Sequence, residues 1–117
     1  MRDDNSRILD ILEAIGRIER RAAVDRPAFD RDELIQTWMV HNLQIIGEAA
    51  AGISEQFRSR HPEVPWRSIA GMRNAIVHAY FRVDLDEVWN VIQNDLPHLK
   101  AWMDSAVTDS GDAEPVD

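Results

Sequence analysis

Between Leu34 and Phe57 apolar residues recur every three or four positions, a run of roughly six helical turns. The positions are Leu34, Ile35, Trp38, Met39, Leu43, Ile45, Ile46, Ala49, Ala50, Ile53 and Phe57. A stripe of that length can only be buried against other helices, and nowhere in the chain does a strand's two-residue alternation compete with it. The stripe also covers about half of the helix circumference, wider than one core-facing face needs. Packing on two sides is therefore expected, within a bundle and against another subunit.

The remaining segments supply the partners. Ile8, Ile11, Leu12, Ile15 and Ile18 form a stripe on a helix expected from about Asp4 to Ala23. The long second helix is expected from Asp30 to Phe57. Asp30 with Glu33 resembles a capping box there, and Phe29 with Leu34 a hydrophobic staple. His61-Pro62-Glu63-Val64-Pro65 ends that pattern, and Pro65 suits the first turn of a third helix running to about Tyr80 or Phe81. Asp84 with Glu87 is a second capping box, followed by the stripe Val88, Trp89, Ile92, Leu96, Leu99, Met103 and Ala106. Pro97 must kink or restart this fourth helix, because it cannot donate to the carbonyl of Gln93. The expected fold is all-α, an up-and-down bundle of four to five helices, dimeric through its wide second helix. Residues 1–106 form the domain, and residues 107–117, with Gly111, Pro115 and scattered acids, read as a disordered acidic tail.

Composition removes several function classes. With no cysteine among 117 residues, disulfides, thiolate catalysis and cysteine-held metals are excluded. No apolar run approaches the roughly 20 residues that cross a bilayer, and no signal-peptide pattern opens the chain. No membrane association is expected, and a cytoplasmic setting follows. The formal charge of −8 argues weakly against a nucleic-acid partner, because five acids (Asp104, Asp109, Asp112, Glu114, Asp117) lie in the last fourteen residues; without them the rest carries −8 + 5 = −3. Twelve of the thirteen bases are arginine, the side chain suited to forked phosphate contact, although genome composition accounts for that bias equally well.

Metal, nucleotide and acyl-transfer chemistry lack their motifs. His41, His61, His78 and His98 show no H-E-x-x-H spacing, and His41 and Glu48 lie two turns apart on one helix edge. Gly47, Gly52 and Gly71 stand singly, and Ser54, Ser59 and Ser68 have no nucleophile-elbow context. No cofactor is implied.

The segment Arg73-Asn74-Ala75-Ile76-Val77-His78-Ala79-Tyr80 is the exception. On an ideal helix Arg73 falls inside the apolar arc of Ile69, Ala70, Ile76, Val77, Tyr80 and Phe81, where a guanidinium is costly unless paired, solvated or at an interface. Asn74 and His78 fall one turn apart at the arc's edge. An arginine with a histidine can cleave RNA, which carries its own nucleophile in the 2′-hydroxyl. Histidine moves protons near neutral pH, arginine meets the charge that builds on phosphorus, and Asn74 can bond the imidazole or a phosphate oxygen. Arg-x4-His alone also fits a helix-edge histidine beside a snorkelling arginine. On an ideal helix the two side chains point about 140° apart, so they converge only if the helix ends near His78 or if two chains build the site.

Read with its flanks, Pro65 to Phe81 resembles the signature of the HepT-like branch of the HEPN superfamily. The resemblance continues in Ile45-Ile46-Gly47-Glu48-Ala49-Ala50, in Asp84-Leu85-Asp86-Glu87-Val88-Trp89 and in Asn94-Asp95-Leu96-Pro97-His98-Leu99, and covers about residues 5 to 105. It implies a dimerising helical bundle whose Arg-x4-His-x-Tyr motifs meet in an interface cleft. Members resemble metal-independent endoribonuclease toxins of prokaryotic toxin–antitoxin systems, partnered by an MNT-type nucleotidyltransferase antitoxin that can transfer AMP to the motif tyrosine. Carried over, Arg73 and His78 are the catalytic pair and Asn74 the polar residue after the arginine. Tyr80 is the AMPylation target or a substrate contact. Glu48 matches a family position without an assigned chemistry, capping or orienting Arg73 at most. The alternative is a non-catalytic interaction module of a nucleotidyltransferase complex.

Overall fold

Asp3, Asp25, Asp32, Ser54 and Asp84 each accept a hydrogen bond from the backbone N–H three residues ahead, and each thereby starts a helix. A helix leaves its first four N–H groups without partners, and a short oxygen-bearing side chain satisfies one of them for about 1 kcal/mol. In the computed structural model, which describes residues 3–22, 24–78 and 82–113 (the last six by backbone alone), these caps divide the chain into more pieces than its periodicity does.

The elements in order are α1 (Asp4–Glu19), α2 (Arg26–Arg31), α3 (Glu33–Ala51), α4 (Glu55–Arg60), α5 (Trp66–Ala70), α6 (Met72–Ile76), α7 (Leu85–Asn90), a π-helical turn (Val91–Asp95) and α8 (Leu96–Ala113). The fold is an all-α bundle. Helix α1 packs against α3 and α8, while α5 and α6 lie across α3. Ile8, Ile11, Ile15 and Ile18 of α1 meet Leu43, Ile46 and Ala50 of α3 and Met103 and Ala106 of α8 in one core. Side chains of this size are worth about 1.5–3 kcal/mol each when fully buried. Among the described residues no helix is long and apolar enough to cross a membrane.

The long second helix is in fact three. Asp32, not Asp30, caps α3, because its carboxylate reaches Ile35 N at 3.0 Å. Phe29 does not staple to Leu34, which is 83% exposed; it is buried against Trp89, ring centroids 5.3 Å apart. Arg26 bonds both Asp30 and Asp86 and lies over the Trp89 ring, tying α2 to α7. The far end of α3 breaks at Gly52, where Asp4 of α1 takes the Ser54 N–H at 2.8 Å and its hydroxyl at 2.6 Å. That long-range pairing cannot be read from local periodicity. Helix α1 stops at Glu19, before the expected Ala23, which lies outside the described residues.

The third segment ends earlier than expected as well. Gly71 separates α5 from α6, and the chain turns extended at Val77, which bridges to Val83. Pro97 is accommodated by a specific device rather than by the expected kink or restart. Before it the helix widens into the π turn, where Leu96 N–H reaches back five residues to Val91 O, so the chain passes the proline without a break. With Met103 and Ala106 buried and Val107 packed on the core, α8 continues to Ala113, past the residue-107 boundary of the expected irregular tail; residues 114–117 lie outside the described ones.

Candidate active site

The site stands on α5, α6 and the turn that follows, and Gly47 sets their distance from the bundle. A Cβ at Gly47 would lie 3.3 Å from Ala70 O and 3.4 Å from Ile69 O. Only glycine lets the last carbonyls of α5 approach α3 so closely. Trp66, Ile69 and Ile76 are buried beneath, with Trp66 Nε1 donating to His61 O at 3.0 Å. His61 is itself buried against Phe57 at 4.7 Å and serves the core.

Arg73 lies within α6, partly buried, and Asn74 beside it is exposed. Among the described residues no hydrogen bond or ion pair engages the Arg73 guanidinium. The cation is therefore left to face a ligand or solvent. Glu48 is exposed on α3, where its Oε1 accepts from Gln44 Nε2 at 3.1 Å; no described contact joins it to Arg73. Tyr80 lies outside the described residues.

His78 does not share a helix edge with Asn74, because the helix has ended. Val77 N–H closes the last turn on Arg73 O at 3.0 Å, and Val77 itself is extended at φ −118°, ψ 118°. His78 N–H then bonds Arg82 O at 2.7 Å, and Asp84 N–H bonds Ile76 O at 2.7 Å. With the Val77–Val83 bridge, these bonds close a loop whose two ends are adjacent. The expected 140° divergence of Arg73 and His78 thus applies to a helix that is not there, and the end of α6 is what re-aims the imidazole.

The loop closure brings in a residue that sequence reasoning treats only as a cap. Asp84 Oδ1 accepts from Glu87 N at 3.0 Å, and its other oxygen, Oδ2, meets His78 Nε2 at 3.2 Å. The Glu87 N–H, and after it the His78 contact, hold the Asp84 carboxyl below the usual carboxylate range. The imidazole is 56% exposed, so it is anchored on one side and open on the other. A signal for this was present in the sequence. An N-cap aspartate uses one oxygen for its helix, and the second is free for a neighbour.

Among the described residues no group of three or more His, Asp or Glu is arranged around one point. His41 is exposed on α3, and His98 packs near Trp102, ring centroids 6.2 Å apart.

A family model described as Ribonuclease HepT-like matches residues 11–106. The chain belongs to the HepT-like ribonuclease family. It is 41% identical over 92 residues to a protein of Thermococcus cleftensis named "Probable ribonuclease HepT", covering 78% of this chain and 84% of the relative. It is 35% identical over 100 residues to a Methanocaldococcus jannaschii protein named "Putative RNase MJ1380", covering 85% and 92%. No solved structure matches.

Proposed function

We propose that this HepT-like chain is a metal-independent endoribonuclease toxin that cleaves RNA through Arg73 and His78. The observation that carries this reading is the end of α6: it leaves Arg73 without a described partner and presents a carboxylate-held His78 two residues beyond the helix. His78 takes the proton of a ribose 2′-hydroxyl, whose oxygen attacks the adjacent phosphorus. A 2′-O–P bond forms and the P–O5′ bond breaks, the proton on His78 passes to the leaving 5′-oxygen, and the products are a 2′,3′-cyclic phosphate and a 5′-hydroxyl. Arg73 holds the non-bridging oxygens as charge builds on them, and the exposed Asn74 is within the same turn to bond phosphate. Glu48 is a supporting position on α3 that, at most, orients Arg73 when substrate or a second copy is bound. No cofactor takes part.

A homodimer completes the site, with one protomer's histidine facing the phosphate held by its partner's arginine. The partly exposed Trp38 and the exposed Leu34 on α3 support a second copy there. An MNT-type nucleotidyltransferase antitoxin silences the toxin by moving AMP onto Tyr80.

Purified protein should cleave RNA in the presence of a chelator, and His78→Ala should lose at least about 10²-fold. Induction of the wild type, but not of His78→Ala or Arg73→Ala, should arrest growth. Cleavage that needs a metal, or that survives His78→Ala, refutes the assignment. A wild type that neither cuts RNA nor arrests growth is an interaction module instead.

A further inference from the structure

The geometry points to Nδ1 of His78 as the nitrogen that moves the proton, with Asp84 as the positioning residue that fixes this choice. The inference rests on the ribonuclease reading for its catalytic meaning, but its structural content stands apart from it. The two oxygens of Asp84 divide their contacts. Oδ1 accepts the Glu87 N–H that starts α7, and Oδ2 faces His78 Nε2 at 3.2 Å. The carboxyl titrates below the usual range, so at neutral pH it is ionised and can only accept. The ring nitrogen opposite it must then carry a hydrogen. A neutral imidazole has only one, so the lone pair that can take a proton is on Nδ1.

The backbone makes this orientation durable. Asp84 N–H is bonded to Ile76 O and His78 N–H to Arg82 O, both at 2.7 Å, so the residues carrying the ring and the carboxylate are fixed to each other across the closed loop. A histidine whose far nitrogen is held by a carboxylate keeps one tautomer and one ring orientation through the reaction. Asp84 touches no substrate. It acts by keeping the basic lone pair of His78 turned away from α7.

Two substitutions separate this role from helix capping. Asn is as good an N-cap as Asp, so Asp84→Asn keeps its carbonyl oxygen on Glu87 N and turns its NH2 toward His78. That donor demands a bare Nε2 and drives the proton to Nδ1, removing the reactive lone pair. Asp84→Ser also caps, but it is too short to reach the ring. Nitrogen-15 spectra of the histidine rings, followed to the neutral form, should show His78 of the wild type with hydrogen on Nε2 and bare Nδ1. In Asp84→Asn the two nitrogens should exchange roles. RNA cleavage by Asp84→Asn should fall on the order of 10-fold or more in kcat, with KM little changed and the helical circular dichroism of the folded protein kept. Asp84→Ser should fall less, having no misplaced donor. A wild-type His78 protonated on Nδ1, or an Asp84→Asn protein with unchanged tautomer and wild-type kcat, overturns the inference. The spectra decide it even if the protein cuts no RNA, and loss of cleavage in His78→Ala with the wrong tautomer in the wild type would spare the ribonuclease reading alone.

Discussion

Replacing Gly47 by alanine should destabilise this protein, whereas the same replacement at Gly16 should stabilise it. Both glycines lie inside helices, where alanine is favoured by about 1 kcal/mol through backbone entropy. At Gly16 the added methyl meets only the mobile end of Arg20, Nη1 at 3.7 Å, so the propensity gain is kept. At Gly47 it meets two backbone carbonyls, Ala70 O at 3.3 Å and Ile69 O at 3.4 Å, which cannot swing aside. Either α5 moves away from α3 by a few tenths of an ångström or the contact stays compressed; overpacking of this kind costs about 1–3 kcal/mol. Subtracting the propensity gain leaves a net loss of about 1 kcal/mol, or roughly 4 °C in melting temperature for a domain of this size. Thermal unfolding followed by circular dichroism on the two variants measures both signs at once. Because α5 leads directly into α6, RNA cleavage by Gly47→Ala should drop more than its stability does, while Gly16→Ala keeps wild-type activity. A Gly47→Ala protein that melts higher, in step with Gly16→Ala, would refute the close approach of α5 to α3.

Phe29→Ala should cost about 3–5 kcal/mol in urea unfolding, because Phe29 is 1% exposed and its ring lies on Trp89; a loss below about 1 kcal/mol would place Phe29 outside the core. The Asp84 carboxyl titrates lower in the folded chain than its ordinary 3.8. The folded state therefore binds that proton more weakly than the unfolded one, and the stability Asp84 contributes is complete above the ordinary value and lost as pH falls through the lowered one. Stability of wild type over Asp84→Asn should thus shrink as pH falls past the ordinary 3.8 and through the lowered folded value, and a difference that grows on acidification would contradict the pairing.

The fold class was legible because burial of apolar stripes is a local, periodic property. Ile8, Ile11, Ile15 and Ile18, and Leu43, Ile46 and Ala50, are buried where their spacing places them. So was the start of α7, since Asp84 caps through a hydrogen bond only three residues long. Arg73 and His78 were named by resemblance to a family signature, not by periodicity. Helix ends were less legible. Asp32 and Ser54 outcompete continuation of one long α3, and the second break depends on Asp4, fifty residues away in sequence.

The sequence by itself determined an all-α bundle, its buried stripes and the identity of the residues on which chemistry was expected. Tertiary structure decided how those residues are presented. Ile76 O and Arg82 O take the N–H groups of Asp84 and His78, and those bonds end α6 before His78. Helical periodicity cannot register such a closure, because it is made between residues several positions apart whose approach depends on α6 and α7 both packing on α3. That closure, and not the Arg-x4-His spacing, gives His78 a carboxylate partner.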